Sequence, residues 1–400
     1  MSHSLSNKAA RAAAKKKLLH AFSKSTLLQG VVPVWNDEYG DFKAEILKSN
    51  PNWLRAEDID TVIILSYLEV RGDERLEGSL PDIHTREFLD DLAEAVIDAV
   101  AAPNDYWFHF PLPQIALDED VELSDSVILY RHTEPVRGSL LIDEIVEKTS
   151  VVLRVRGTGF VFTGRTHSAF VDAITKVKRV LQIASLYSFV RRSPKKKNAL
   201  LSLVGGLEQT PIYDASWAAV KPRPLAAGKV QLGLGLSKYL SELTFTDDEW
   251  TKTKSESLQR YVGKVFKAIS DSVAIDNVKS IRRSLEWAFD AQLDEDEHMR
   301  FMKTCIGLEA AISEQNDALG ITEQLADRCA FLLNKTAVSR QETRETMRKI
   351  YKLRSKLVHG AAAGLTGSER NLAVKAERTL EKVLSTELKA VMEWYGARKQ

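Results

Sequence analysis

Arg354 and His359 are separated by four residues in Tyr351-Lys352-Leu353-Arg354-Ser355-Lys356-Leu357-Val358-His359-Gly360. A guanidinium offers phosphate a planar fork of N–H donors. An imidazole moves a proton near neutral pH. Together they are the smallest set of groups that could break a phosphodiester without a metal ion. On an ideal helix, residues five apart differ by about 140° around the axis. A flexible Arg354 must therefore reach round to His359, or a second copy of the helix must complete the pocket. Tyr351, Ser355 and His359 share one face at i, i+4 and i+8. Leu353, Leu357 and Val358 are expected on the buried side, and Gly360 suits the position just past a helix end. Arginine and histidine at this spacing also occur as ordinary solvated side chains, so the surroundings decide.

The elements that must position this pair fill residues 246–400, which read as near-continuous helix. Thr246-Asp247-Asp248-Glu249 suits a helix start, with a hydroxyl cap and acids in the first turn. Apolar residues at helical spacing then predict helices over 277–293, 294–317, 321–333, 340–359 and 369–395. With the first, this makes about six, joined by short connections that favour an antiparallel up-and-down bundle.

Within this tail lie Leu308-Glu309-Ala310-Ala311, then Leu325-Ala326-Asp327-Arg328-Cys329-Ala330, then Tyr351 through Gly360. The order and spacing of these three blocks resemble the HEPN superfamily, in particular its Apea-like branch, over about residues 246–400. The resemblance implies metal-independent RNA cleavage by attack of the RNA's own 2′-hydroxyl, leaving a 2′,3′-cyclic phosphate and a 5′-hydroxyl. It gives His359 the proton transfers and Arg354 the scissile phosphate, with Ser355, Glu309 and Tyr351 as supporting groups. It also implies a homodimer through these helices and no cofactor. Proteins of this kind are commonly bacterial anti-phage, abortive-infection or toxin effectors. Glu309 would line the cleft or pair with Arg328; a structural ion pair tying helices together is the competing reading. A non-catalytic RNA-binding or dimerisation module, acting as sensor or adaptor, is the alternative for the whole tail.

Composition sets bounds on the remainder. Four hundred residues allow two or three domains, and 44% apolar with 28% charged residues is ordinary for a globular chain. A net charge of +1 requires any RNA surface to be local. Two cysteines, Cys305 and Cys329, supply neither a disulfide framework nor a cysteine-rich zinc module, and suggest a reducing compartment. Neither a secretory signal nor an apolar run of membrane-spanning length is visible, so a cytoplasmic location without membrane contact is expected. Phosphate-loop, H-E-x-x-H and G-x-S-x-G motifs are missing, and no metal site is expected.

Residues 1–25 carry a basic, alanine-rich helix with five cations before residue 18, expected either to dock on a phosphate backbone or a membrane surface, or to be a solvated or disordered terminal helix. Residues 26–245 read as mixed α+β, a half that would answer a trigger, phage-derived or other. There Asp58–Val70 reads as a β-branched strand, Thr85–Val100 as an amphipathic helix, and 106–130 as short strands. Residues 150–163 read as a hairpin turning at Gly157–Gly159, and 168–190 as a helix. His109 and His132 are expected to be structural. Arg191, Arg192, Lys195, Lys196 and Lys197 form the densest basic run, read as a loop that meets RNA phosphate, as Lys356 would, or is simply solvated. The expected fold is therefore α+β: a mixed half at 26–245 followed by an all-α bundle at 246–400.

Overall fold

The computed structural model describes residues 8–28, 32–34, 36–48, 54–71, 78–101, 103–117, 119–137, 145–161, 168–193, 213–221, 227–246, 252–272, 275–312, 321–359 and 364–398. It is a mixed α and β chain with sheet in its first part and helices in its last. The order opens α1 (Lys8–Phe22), β1 (Thr26–Leu28), β2 (Val32–Val34), α2 (Asp37–Lys48), α3 (Ala56–Arg71), β3 (Gly78–Ser79), α4 (Leu80–Ile83) and α5 (Arg86–Ala101). Next come β4 (Asn104–Leu112), β5 (Val121–Ser124), β6 (Val127–Arg137), β7 (Ile145–Gly159), α6 (Ser168–Leu186), β8 (Val190–Arg192), β9 (Asp214–Ala219) and β10 (Ala227–Gln231). The order closes with α7 (Leu234–Glu242), β11 (Leu243–Phe245), α8 (Lys252–Leu258), a π-helical turn (Gln259–Gly263), α9 (Lys264–Asp271), α10 (Asp276–Leu293), α11 (Glu297–Ile312), α12 (Ile321–Leu333), α13 (Ala337–Val358) and α14 (Gly367–Ala397). Among the described residues no helix is long and apolar enough to cross a membrane.

The largest sheet has six strands in the order β10-β9-β4-β7-β6-β5. β6 and β7 pair antiparallel from Val127↔Val155 to Arg137↔Ile145, and β5 joins β6 with a register shift between Glu122 and Ser124. β4 alternates as a half-buried strand should, with Tyr106, Phe108, Phe110 and Leu112 inward. The chain packs into two compact units: residues 1–108, 156–174 and 216–230, and residues 109–155, 175–215 and 231–400.

In the first unit, Ala14, Leu18 and Phe22 of α1 are buried with Phe42, Ile63, Leu92 and Val96. The basic helix is a core element, not a free arm. Three of its cations are answered within the unit: Arg11 pairs with Glu94 and Asp98, Lys15 with Asp90 and Glu94, and Lys17 with Glu45. The segment read as a strand at Asp58–Val70 is helix α3. Ile59, Ile63 and Tyr67 recur at helical spacing and are fully buried. Asp58 accepts the Arg55 amide at 2.7 Å, half of a capping box that starts the helix. Burial of one stripe outweighs the weak helix preference of β-branched residues. The expected turn at Gly157–Gly159 is absent, because β7 runs straight through to Gly159.

In the second unit, α10 with α11 and α12 with α13 run antiparallel, and side-chain ties record it. Ser284 of α10 bonds the Gly307 carbonyl of α11, while Asp294 pairs with Lys303. Arg348, Arg344 and Arg340 of α13 meet Glu323, Asp327 and the Phe331 ring of α12 in reverse order. Of the helix start expected at Thr246-Asp247-Asp248-Glu249, only Thr246 is described, and described helix is next met as α8 from Lys252. Leu243–Phe245 is β11, paired with β8, and 247–251 lie outside the described residues. Helix α14 starts with a full capping box, Thr366 with Glu369. Lys356, then the backbone and hydroxyl of Thr366, hold the Glu369 carboxyl down to about 2. Its contribution is therefore present above about pH 4.3 and is lost as pH falls toward 2. Thr366→Ala is expected to cost about 1 kcal/mol in urea unfolding, with Thr366→Ser close to the parent.

His109 on β4 has its Nδ1 3.4 Å from the Tyr130 hydroxyl, and its Nε2 is buried without a partner. Burial first, then Arg154 and His132, lowers its pKa to about 4 from 6.5. The folded state prefers the neutral ring. Stability from this preference is complete above pH 6.5 and drains away as pH falls from 6.5 to 4. Allowing for the ring's partial solvation, the loss is about 2 kcal/mol. Unfolding midpoints at pH 7 and pH 4 check this: His109→Phe is expected to show a smaller acid loss than the parent.

Candidate functional site

Helix α13 is fixed at its start by Thr336, whose hydroxyl accepts the Ser339 amide. It presents Met347, Ile350, Tyr351 and Leu353 inward. Leu357 is half-buried, and Val358, expected inside, is 52% exposed at the helix end. Tyr351 is buried and donates to the Cys305 carbonyl at 3.3 Å. One turn further along each helix, Arg354 Nη2 lies 3.4 Å from Glu309 Oε1. The Tyr351 hydroxyl also acts on Glu309, opposing the rise of its carboxyl. Thus Glu309, Tyr351 and Arg354 are gathered into one cluster between α11 and α13.

The electrostatics of this cluster follow from partial burial. The Glu309 carboxyl is raised by desolvation, against the opposing pull of Arg354 and the Tyr351 hydroxyl. A raised carboxyl opposes folding increasingly as pH climbs through the carboxylate range. Burial, then the neighbouring Cys305 and Glu309, raises the Tyr351 phenol, so it stays a neutral donor. Both cysteines are buried and free. Burial raises the Cys305 thiol, with Glu309 adding to it, and pushes the Cys329 thiol up to about 12. Neither is a thiolate nucleophile at physiological pH. Arg354 is one-third exposed, its Nε is buried without a partner, and its fork is only loosely spent on Glu309.

His359 caps α13 with φ −85° and ψ 10°, and its amide bonds the Ser355 carbonyl at 3.1 Å. Its ring is exposed, as is Ser355. Among the described residues no hydrogen bond or ion pair joins the His359 ring to Arg354. A single chain therefore brings together Arg354, Glu309 and Tyr351, and leaves the imidazole in solvent at the end of the same helix. Gly360 lies outside the described residues.

The other expected contacts divide. Lys356 pairs with Glu369 at 2.9 Å, at the start of α14. Arg192 is committed to Glu242 and donates to the Gln292 carbonyl at 2.6 Å. It lies in β8, where a loop was expected, because β11 supplies the pairing partner. Arg191 on the same strand is exposed, and Lys195, Lys196 and Lys197 lie outside the described residues. Arg328 donates to the Ile312 carbonyl at 2.6 Å, and Glu309 has Arg354 as its ion-pair partner. That pairing escaped the sequence reading. The available signal was periodic: Cys305 and Glu309 are four apart, Tyr351 and Arg354 three, so one tie brings the next turn's charges together. Among the described residues no group of three or more His, Cys, Asp or Glu is placed to hold a metal ion.

Comparison with protein-family models, with curated proteins and with solved structures finds no match to this chain.

Proposed function

We propose that the chain is a metal-independent endoribonuclease of the HEPN type. The observation that carries this reading is a one-third-exposed arginine, paired with Glu309 beside the buried Tyr351, on the helix whose end presents His359 to solvent. In the proposed reaction the RNA 2′-hydroxyl attacks the adjacent phosphate. His359 takes the proton from the 2′-hydroxyl or gives one to the leaving 5′-oxygen. Arg354 holds the non-bridging oxygens and offsets their charge as the fifth bond to phosphorus forms. One chain offers one imidazole at the end of α13, so a second copy, packed on α13 about a two-fold axis, would supply the other. The first unit would restrain or trigger the nuclease, the organisation of an anti-phage or toxin effector.

A second reading has its own support. The Glu309–Arg354 pair serves equally as a tie between α11 and α13, and His359 makes no contact with it. The protein would then bind RNA or dimerise without cutting. Incubation of the purified chain with mixed RNA, with and without EDTA, separates the two. The nuclease reading expects EDTA-resistant fragments ending in 2′,3′-cyclic phosphate. Retarded but intact RNA favours the binding module.

A further inference from the structure

A cavity of about 430 Å³ opens beside α14 in the second unit, with walls from α6, β8, α10, α11 and α14. It contains neither Arg354 nor His359. Its volume falls within the range of sites for small organic ligands, about 300–1,000 Å³. Its polar groups are poorly satisfied by the protein itself. Gln182 is 1% exposed; its Oε1 accepts from Gln292 at 2.8 Å, and its Nε2 has no partner among the described residues. The Thr246 hydroxyl is buried and unpartnered. Glu377 and Glu381, one turn apart on α14, take no hydrogen bond and no ion pair among the described residues. Yet Arg300 lines the same cavity, its Nε and Nη2 directed to the Asp294 carbonyl at 3.2 and 2.8 Å. Arg191 brings a guanidinium that forms no bond with a described residue. Burial raises the Glu377 carboxyl, which a donor-bearing ligand would relieve.

Such a cavity, with carboxylates and guanidinium groups in one lining, suits a molecule that carries both hydrogen-bond donors and an anion. A carboxylate only accepts, so it pairs best with two adjacent donors. Among the nucleobases guanine alone offers them on one edge, at N1–H and the 2-amino group. Adenine and cytosine set an amino group beside an acceptor, and uracil sets its imide between two carbonyls. The unpartnered amide of Gln182 suits guanine O6. Arginine forks suit a phosphate. We propose that this cavity binds a guanine nucleotide, its base held by Glu377 and Gln182 and its phosphate by Arg191 and Arg300.

Calorimetric titration of the full chain with GMP, AMP, CMP, UMP and inorganic phosphate tests this. GMP is expected to bind at least about tenfold more tightly than the other three nucleotides. Glu377→Gln is expected to erase that preference while retaining phosphate-dependent binding. Arg191→Ala weakens all four alike. Should Glu377→Gln fail to reach the parent's melting temperature, Gln182→Leu takes its place, with loss of GMP preference expected. Absence of nucleotide binding, equal affinity for the four, or undiminished GMP binding by the variant overturns the proposal. Arg354→Ala is expected to leave GMP binding unchanged, which separates this site from the nuclease reading.

Discussion

His359→Ala keeps the parent's unfolding midpoint and lowers RNA cleavage by about 10²–10⁴-fold, the usual worth of a positioned proton-transfer group. The first half of this expectation follows from exposure: the residue ends a helix through its backbone, and its exposed ring bonds no described residue. The second follows from the proposed chemistry. Arg354→Lys is the matching variant. It keeps a cation beside the partly buried Glu309 but removes the planar fork, so cleavage should fall without a large loss of stability. Arg354→Ala is less clean, because it also strips the Glu309 carboxyl of its cation. The double variant is expected to lose no more activity than the worse single one, since groups that act as a unit are not additive. Initial cleavage rates on labelled RNA, with urea unfolding alongside, separate these outcomes. Parental cleavage by both single variants would remove the site.

The largest structural effect is expected at Gly157. A Cβ there would fall inside contact distance of the Ala169 carbonyl and lie 2.8 Å from Phe108 Cε2. The oxygen belongs to backbone and the ring packs against Phe170, so neither yields easily. Overpacking of this kind costs about 3 kcal/mol or more. Gly157→Ala should therefore lower the unfolding midpoint sharply or leave no folded protein. Gly40→Ala provides the control in the same unit. Its Cβ meets nothing within 4 Å, and the residue sits inside α2. That substitution is expected to stabilise by roughly 0.5–1 kcal/mol.

These two positions also show what the sequence could and could not disclose. Gly157 and Gly159 look like a turn, and locally nothing says otherwise. That β7 continues through Gly157 to Gly159 depends on Ala169 and Phe108 arriving from elsewhere in the chain, a tertiary fact. Asp58–Val70 failed similarly: β-branched composition argued strand, while the burial of Ile59, Ile63 and Tyr67 on one stripe made a helix. The C-terminal helices were legible because their apolar residues recur at 3.6; α12 spans Ile321–Leu333 as read, while α14 opens at Gly367 and not at 369, on a Thr366 cap that periodicity does not mark. The candidate site was legible as residue types along one helix. Its carboxylate partner was not, because Glu309 meets Arg354 only through the packing of α11 on α13. The cavity around Gln182 and Glu377 draws on five elements, and no local pattern marks it.

The central claim is that RNA supplies its own nucleophile while Arg354 and His359 supply the catalysis. It is tested most directly by mapping a cleavage site in EDTA, then replacing the 2′-hydroxyl at that one nucleotide with hydrogen. The account predicts that cutting at that position stops while neighbouring sites are still cut. Continued cleavage at the deoxy position, or dependence of all cleavage on an added divalent ion, would contradict it.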